Sequence, residues 1–181
     1  MPDIYTPPDE SFVRKTADLE RRTKTLERMP SGLKSIGPPH LAIVPSAVVN
    51  TLAVQTTAGS VQAVMLWTNK VRDNQAIYNA ASNTRLTIPI AGIYLVEVGI
   101  DWNTNATGYR HIQLWLNNAT VVREMLSAPS PTTDTTEALV VTTQLVVGDF
   151  MEVRVRQGSG GNLDVLNGPN TFFGVTWLGN G

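Results

Sequence analysis

The chain has 181 residues, 42% hydrophobic and 16% charged, with a formal net charge of −1 and no cysteine. It is long enough to bury a core and too weakly charged for a disordered chain, which combines low hydrophobicity with high net charge. The lack of Cys excludes disulfides, thiol catalysis and thiolate metal sites, no apolar run reaches the ~18 residues of a membrane-inserted helix, and the near-neutral balance argues against a nucleic-acid partner, which needs a basic face.

Charge is unevenly spread. Residues 1–40 hold seven of the 14 Lys/Arg and six of the 15 Asp/Glu. Met1-Pro2-Asp3 opens without a basic and then apolar stretch, so no cleavable signal peptide is expected. Next comes a helix. Thr6 suits its N-cap, Pro7 its first turn, and Asp9 and Glu10 the positive end of its dipole; Pro30 and Gly32 stop it. Glu10–Arg14, Asp18–Arg22 and Glu20–Lys24 are acid-before-base pairs four apart, each worth about 0.2–0.5 kcal/mol. Phe12, Thr16, Leu19, Thr23 and Leu26 form a d-a-d-a-d seam, the pattern of a coiled-coil stalk over residues 12–29, with a lone helix lying on the following domain as the alternative. Fewer than three heptads with Thr at a cannot hold partner helices alone. Residues 30–40 form a linker stiffened by Pro38 and Pro39.

From Leu41 to the end, the pattern is strands and turns. Nine strands are expected, at Leu41–Val49, Val61–Trp67, Thr84–Ile88, Gly92–Trp102, Tyr109–Leu116, Thr120–Leu126, Glu137–Val146, Phe150–Gln157 and Thr171–Leu178. The fold class is therefore all-β, a sandwich or barrel occupying 41–181. Alternation places Tyr94, Val96, Val98 and Ile100 on one face. The same rule groups Ile112, Leu114 and Leu116, then Leu139, Val141, Thr143 and Leu145, then Met151, Val153 and Val155. Glu152, Arg154 and Arg156 should face solvent. His111, Gln113 and Trp115 share the face opposite the core, and a Trp there implies cover from a neighbouring subunit.

Connections alternate in length. Pro89–Ala91, Asn117–Ala119 and Val147–Asp149 are tight, whereas Trp102–Gly108, Ser127–Thr136 and Gly158–Asn170 are long and polar. In an antiparallel sandwich, alternate connections emerge at the same end. The tight turns and the C-terminus should thus lie at one end and the long loops at the other, where binding usually lives.

Four stretches, in order over about residues 76–178, carry a family resemblance. Leu86-Thr-Ile-Pro-Ile-Ala-Gly92-Ile-Tyr94-Leu-Val resembles the signature of C1q-like domains. Leu114-Trp-Leu-Asn117-Asn118, Leu145-Val-Val-Gly148-Asp149-Phe-Met-Glu-Val153 and Phe172-Phe173-Gly174-Val-Thr-Trp-Leu178 are similar to that family's later elements. Leu86 and Val96 stand where many members carry Phe, and a helix rather than a collagen repeat precedes the domain. A short charged helix, a Pro linker and such a head resemble bacteriophage fibre or minor tail proteins. The resemblance implies a C1q/TNF-like ten-strand jelly roll that assembles as a homotrimer. Trp115, Tyr94 and Phe172 are assigned to its head interface.

Chemical motifs are sparse. His40 and His111 are not brought together by the pattern, and no His-Glu-x-x-His, P-loop or Gly-x-Ser-x-Gly occurs. Gly158-Ser-Gly-Gly161 precedes no helix, so a phosphate cradle lacks its basis. No catalytic residue and no cofactor is expected, with calcium at the loop tip kept open by the oxygen-rich loops and by the family. Ligand contacts are assigned to Trp102, Asn103, Asn105, Tyr109, Asp134, Asn162 and Asp164. Trp102 and Tyr109 would stack on a sugar, and the Asn amides would pair with its hydroxyls; the alternative is that the two aromatics close the sandwich end.

The chain is thus expected to be a non-enzymatic virion fibre or minor tail protein, made in the host cytoplasm without a signal peptide. Met1–Ser11 docks on another tail or capsid protein, and the head meets a host-surface glycan or protein. The alternatives are a capsid-decorating fibre with a structural role and, behind it, a cell-wall glycan depolymerase.

Overall fold

The computed structural model describes residues 44–181; the expected docking segment, the stalk seam of Phe12, Thr16, Leu19, Thr23 and Leu26, and the linker lie outside the described residues. The chain from Val44 onward forms twelve strands: β1 (Ser46–Asn50), β2 (Gln55–Thr57), β3 (Ala63–Val64), β4 (Asn69–Asp73), β5 (Arg85–Thr87), β6 (Gly92–Trp102), β7 (Arg110–Leu116), β8 (Thr120–Ser127), β9 (Thr135–Leu145), β10 (Phe150–Gln157), β11 (Leu163–Val165) and β12 (Phe172–Gly179). They pair antiparallel in two sheets. The seven-stranded sheet runs β2-β11-β6-β12-β1-β4, with β9 on the other side of β6; the five-stranded sheet runs β3-β10-β7-β8, with β5 also on β10.

The core lies between the sheets, and strand alternation puts it there. Tyr94, Val96, Val98, Ile100 and Trp102 of β6 are buried with Ile112 and Leu114 of β7, Met151, Val153 and Val155 of β10, and Phe173 and Val175 of β12. Trp67 and Phe173, both fully buried, pack with ring centroids 5.6 Å apart. The faces expected of β6 from Tyr94 to Ile100, of β7 at Ile112 and Leu114 and of β10 are thus inward; Trp102, Trp67, Phe173 and Val175 join them without having been expected there.

Three strands lacked a readable signal. β4 has the sequence Asn-Lys-Val-Arg-Asp, polar throughout except Val71, because it is an edge strand paired on one side only. β2 and β11 are three residues each, too short to display a period, and β11 lies inside what the sequence presents as the loop Gly158–Asn170. Conversely, only Ala63–Val64 of the expected strand Val61–Trp67 joins a ladder. Met65 and Trp67 are held singly, through N–H bonds to the carbonyls of Val153 and Asn83. Glu152, expected in solvent, is largely covered: it accepts a bond from Thr84 Oγ1 at 3.0 Å and lies 3.6 Å from Arg154.

The two ends differ as expected. Ile88 N–H donates to Asp149 O, Gly148 N–H to Ile88 O, and Asn117 Nδ2 to Asp149 Oδ1 at 2.7 Å, so the three tight turns meet. Asn117 and Asn118 both have positive φ, which Asn tolerates better than most residues. Tyr94 Oη donates to Ile90 O, and Trp177 Nε1 to Ala91 O. Trp177 N–H donates to Pro45 O, so the described chain enters at this same end.

Deleting the largest core side chain should leave a cavity that neighbouring strands cannot close. Trp67→Ala is expected to destabilise the protein by about 3–5 kcal/mol, measured by chemical denaturation; a change below about 1 kcal/mol would contradict its place at the centre of the core.

Candidate functional site

The long connections converge at the opposite end, and Asp101 of β6 anchors them. Its Oδ1 accepts from Thr136 Oγ1 at 2.8 Å, its Oδ2 from Asn170 Nδ2 at 3.4 Å, and its carbonyl from Leu166 N–H. Asn103 N–H donates to Asp164 O, and Thr104 Oγ1 to Asp134 Oδ1 at 2.7 Å. Asp164 Oδ1 accepts from Thr56 Oγ1 at 2.6 Å. The Oδ1 of Asn105 accepts from Thr107 N–H, an Asx turn. Four of the expected ligand contacts, Asn103, Asn105, Asp134 and Asp164, are thus brought to one end, where their oxygens also serve the loops' own turns. Asn162 is exposed there. Among the described residues no three His, Asp or Glu side chains converge as a metal site.

Trp102 is corrected. It is fully buried, and its Nε1 donates to Glu137 Oε2 at 3.0 Å, so its faces are packed rather than offered to a sugar. The signal was present: Trp102 continues the inward parity of Tyr94 through Ile100. Tyr109 is half-buried, with the guanidinium carbon of Arg156 5.9 Å from its ring centre.

Sequence reasoning missed the residue that shapes the first long loop. Arg110 is fully buried at the inward parity of β7, where a cation is unexpected. Its terminal nitrogens donate to the carbonyls of Asn105 (2.7 Å), Tyr109 (3.0 Å) and Thr107 (3.1 Å), so loop 103–109 winds around the guanidinium. Gly108 is required in that loop. Its φ is +77°, and a Cβ there would meet Gly158 O at 2.0 Å. Glu137, only 1% exposed, also accepts from Ser127 Oγ at 2.8 Å. Burial pushes its carboxyl above the usual carboxylate range, against the bonds from Ser127 and Trp102 and the charges of His111 and Arg110.

The outward faces of the sheets are unlike. Cross-strand rows on the seven-stranded sheet read Val48, Gly174, Glu97 and Val140; Ser46, Thr176, Leu95 and Thr142; and Asn50, Phe172, Gly99 and Ala138. Glu97 is the only charge in these twelve positions; the first row continues to Arg72 of β4, and Asp101 follows Gly99 on the same side of β6. Phe172 lies flat on Gly99, where a Cβ would come 2.6 Å from its ring. Val140 and Leu178 are more than half exposed. The five-stranded sheet presents Arg154, Arg156, His111, Gln113 and Glu124, with Leu126 and Val121 exposed on its β8 edge. Phe172 therefore lies on an apolar outward surface, whereas two other expected interface residues are corrected. Tyr94 is fully buried within one chain. Trp115 is on the five-stranded sheet, and its cover comes from its own chain: Arg154 stacks 4.1 Å from its ring centre, and Trp115 Nε1 donates to Gln113.

No protein-family model and no curated protein matches this sequence. Solved structures do match in fold. Murine APRIL at pH 5.0 superposes with a TM-score of 0.60 at 13% identity, covering 75% of this chain and 99% of that one. The Eiger TNF of S. frugiperda superposes with a TM-score of 0.57 at 18% identity, covering 76% and 94%. The head is a TNF-like jelly roll, consistent with the C1q/TNF-like class the sequence resembles.

Glu137 gives a pH prediction. A carboxyl whose pKa is raised by folding contributes most below its unfolded value, and the contribution is lost as pH rises through the folded value. From the ordinary carboxylate range toward neutrality, the melting temperature of the wild type should fall relative to Glu137→Gln, whose side chain does not titrate. Parallel profiles for the two proteins would contradict the buried, proton-favouring site.

Proposed function

We propose that this chain is a non-enzymatic binding protein whose TNF-like head assembles as a homotrimer, and that it serves as a fibre or minor tail protein of a bacteriophage virion. The observation that carries the trimer is the outward face of the seven-stranded sheet. An antiparallel sheet with one solvated face normally alternates apolar inside and polar outside. Here the middle of the second face is built from Val48, Leu95, Val140, Phe172, Ala138, Thr and Gly around Glu97, with Arg72, Asp101 and Asp164 toward its margins. A contiguous surface of this kind is a protein-contact surface, and the fold likeness to APRIL and Eiger TNF favours further copies of the same chain as the cover.

Presentation of the head follows from its two ends. The described chain enters beside the tight turns, and the long loops gather at the other end. In this reading residues 12–29 form the stalk, Met1–Ser11 dock on a tail or capsid protein, and the far end meets the host surface. Three heads held together supply the high effective concentration that a short Thr-containing seam needs. The reading requires no cofactor.

Two outcomes test it. Val140 pairs with Glu97, so Val140→Glu sets like charges opposite each other in the middle of the face. The variant should elute as a single chain while keeping its β-sheet circular dichroism; an unchanged assembly would contradict the assigned face. Antibody-labelled imaging of phage particles encoding the chain should place it on the tail. Capsid labelling would replace the tail assignment with a decorating role, and unlabelled particles would overturn the virion reading.

A further inference from the structure

A polar cavity on the five-stranded sheet has no part in the assembly just described. Its floor is set by strand register: Arg156 of β10 lies opposite His111 of β7, and Arg154 opposite Gln113. Its wall is the segment between β2 and β3, which rises above the sheet at Ser60. Ser60 has φ +62°, a left-handed conformation that non-glycine residues adopt at a cost and that tends to be kept where a site needs it. The segment is pinned to the floor. Ser60 N–H donates to Gln157 O at 2.7 Å, and Ser60 O accepts from Arg156 Nε at 3.0 Å. Gln62 Nε2 donates to Gln113 Oε1 at 2.5 Å. Between wall and floor is a cavity of about 300 Å³, lined by Ser60, Gln62, His111, Gln113 and Arg156. That volume is at the lower end of small-molecule sites.

The lining selects a ligand class. Arg156 uses Nε on Ser60, and its two terminal nitrogens have no acceptor among the described residues. A guanidinium edge of this kind matches a carboxylate in a planar, two-bond contact. The other lining groups are one hydroxyl, two amides and an imidazole, which suit a ligand rich in hydroxyls. No carboxylate lines the cavity. Glu124 stands outside it, accepting from Gln113 Nε2 at 2.7 Å and lying 3.2 Å from His111 Nε2, where it orients both floor side chains.

We propose that this cavity binds a carboxylated sugar of the uronic-acid class, with its carboxylate on Arg156 and its hydroxyls on Gln62, Gln113, His111 and Ser60. The inference deepens the binding-protein reading, on which it rests, and moves the ligand from the loop tips to the sheet face beside Tyr109.

Saturation-transfer NMR on the full chain, with D-glucuronate, D-glucose and acetate as separate probes, tests it. Saturation should reach the glucuronate ring protons, and glucose and acetate should bind at least about tenfold more weakly. Arg156→Gln, with an unchanged melting temperature, should lose the glucuronate signal. If that variant does not fold, Gln62→Ala on the wall should weaken the signal several-fold. Glucuronate no better than glucose, or a signal that survives both substitutions, would overturn the site; acetate equal to glucuronate would overturn the sugar assignment. The mass of the same sample separates the two readings. A single chain that binds glucuronate contradicts the trimer and supports the cavity, whereas a trimer that ignores glucuronate overturns the cavity alone.

Discussion

A β-sheet has two faces, and a sandwich of two sheets can bury only one face of each. Everything proposed for this protein depends on how its sequence treats the two faces that remain. The five-stranded sheet covers most of its own with charge, amide and cation–π contacts, as in Arg154 over Trp115 and Arg85 over Phe150, and leaves Leu126 exposed at its edge. On the seven-stranded sheet, Val48, Leu95, Val140 and Phe172 surround Glu97 in the middle of the face, and Arg72, Asp101 and Asp164 stand toward its margins. Apolar surface removed from water is worth about 25 cal/mol per Å², so covering the apolar part of that face would stabilise the folded chain. The proposed association of chains would realise it.

The loop end follows a different logic. There the stabilising groups are polar and buried, which is costly unless each is bonded. Arg110 bonds three backbone carbonyls through its terminal nitrogens, leaving its buried Nε without a partner among the described residues, and Glu137 bonds Trp102 and Ser127. These bonds tie the long connections to the sandwich and leave the loop tips and the neighbouring sheet face to vary in chemistry over a fixed frame.

Period-2 alternation made the core legible in advance, because long strands such as β6 and β10 repeat it several times. Strand parity also held the answer for Tyr94 and Trp102. Their aromatic character drew them toward an interface and a ligand site, while their positions in β6 had already assigned them to the core. Other features depend on partners distant in sequence and leave no local trace. Arg110 looks like an exposed cation until loop 103–109 is seen to close on it. Ser60 looks like an ordinary turn residue until Gln157 and Arg156, nearly a hundred positions later, hold it in a left-handed conformation. β2, β4 and β11 are too short or too polar to show a period, and their ladder partners lie far away in sequence.

The central claim is that the bare face of the seven-stranded sheet is covered by copies of the same chain. Sedimentation equilibrium of the intact wild-type protein across the micromolar range tests this most directly. The account predicts one species at three times the 19.7 kDa chain mass, independent of loading. A stable species of 19.7 kDa over that range would contradict it.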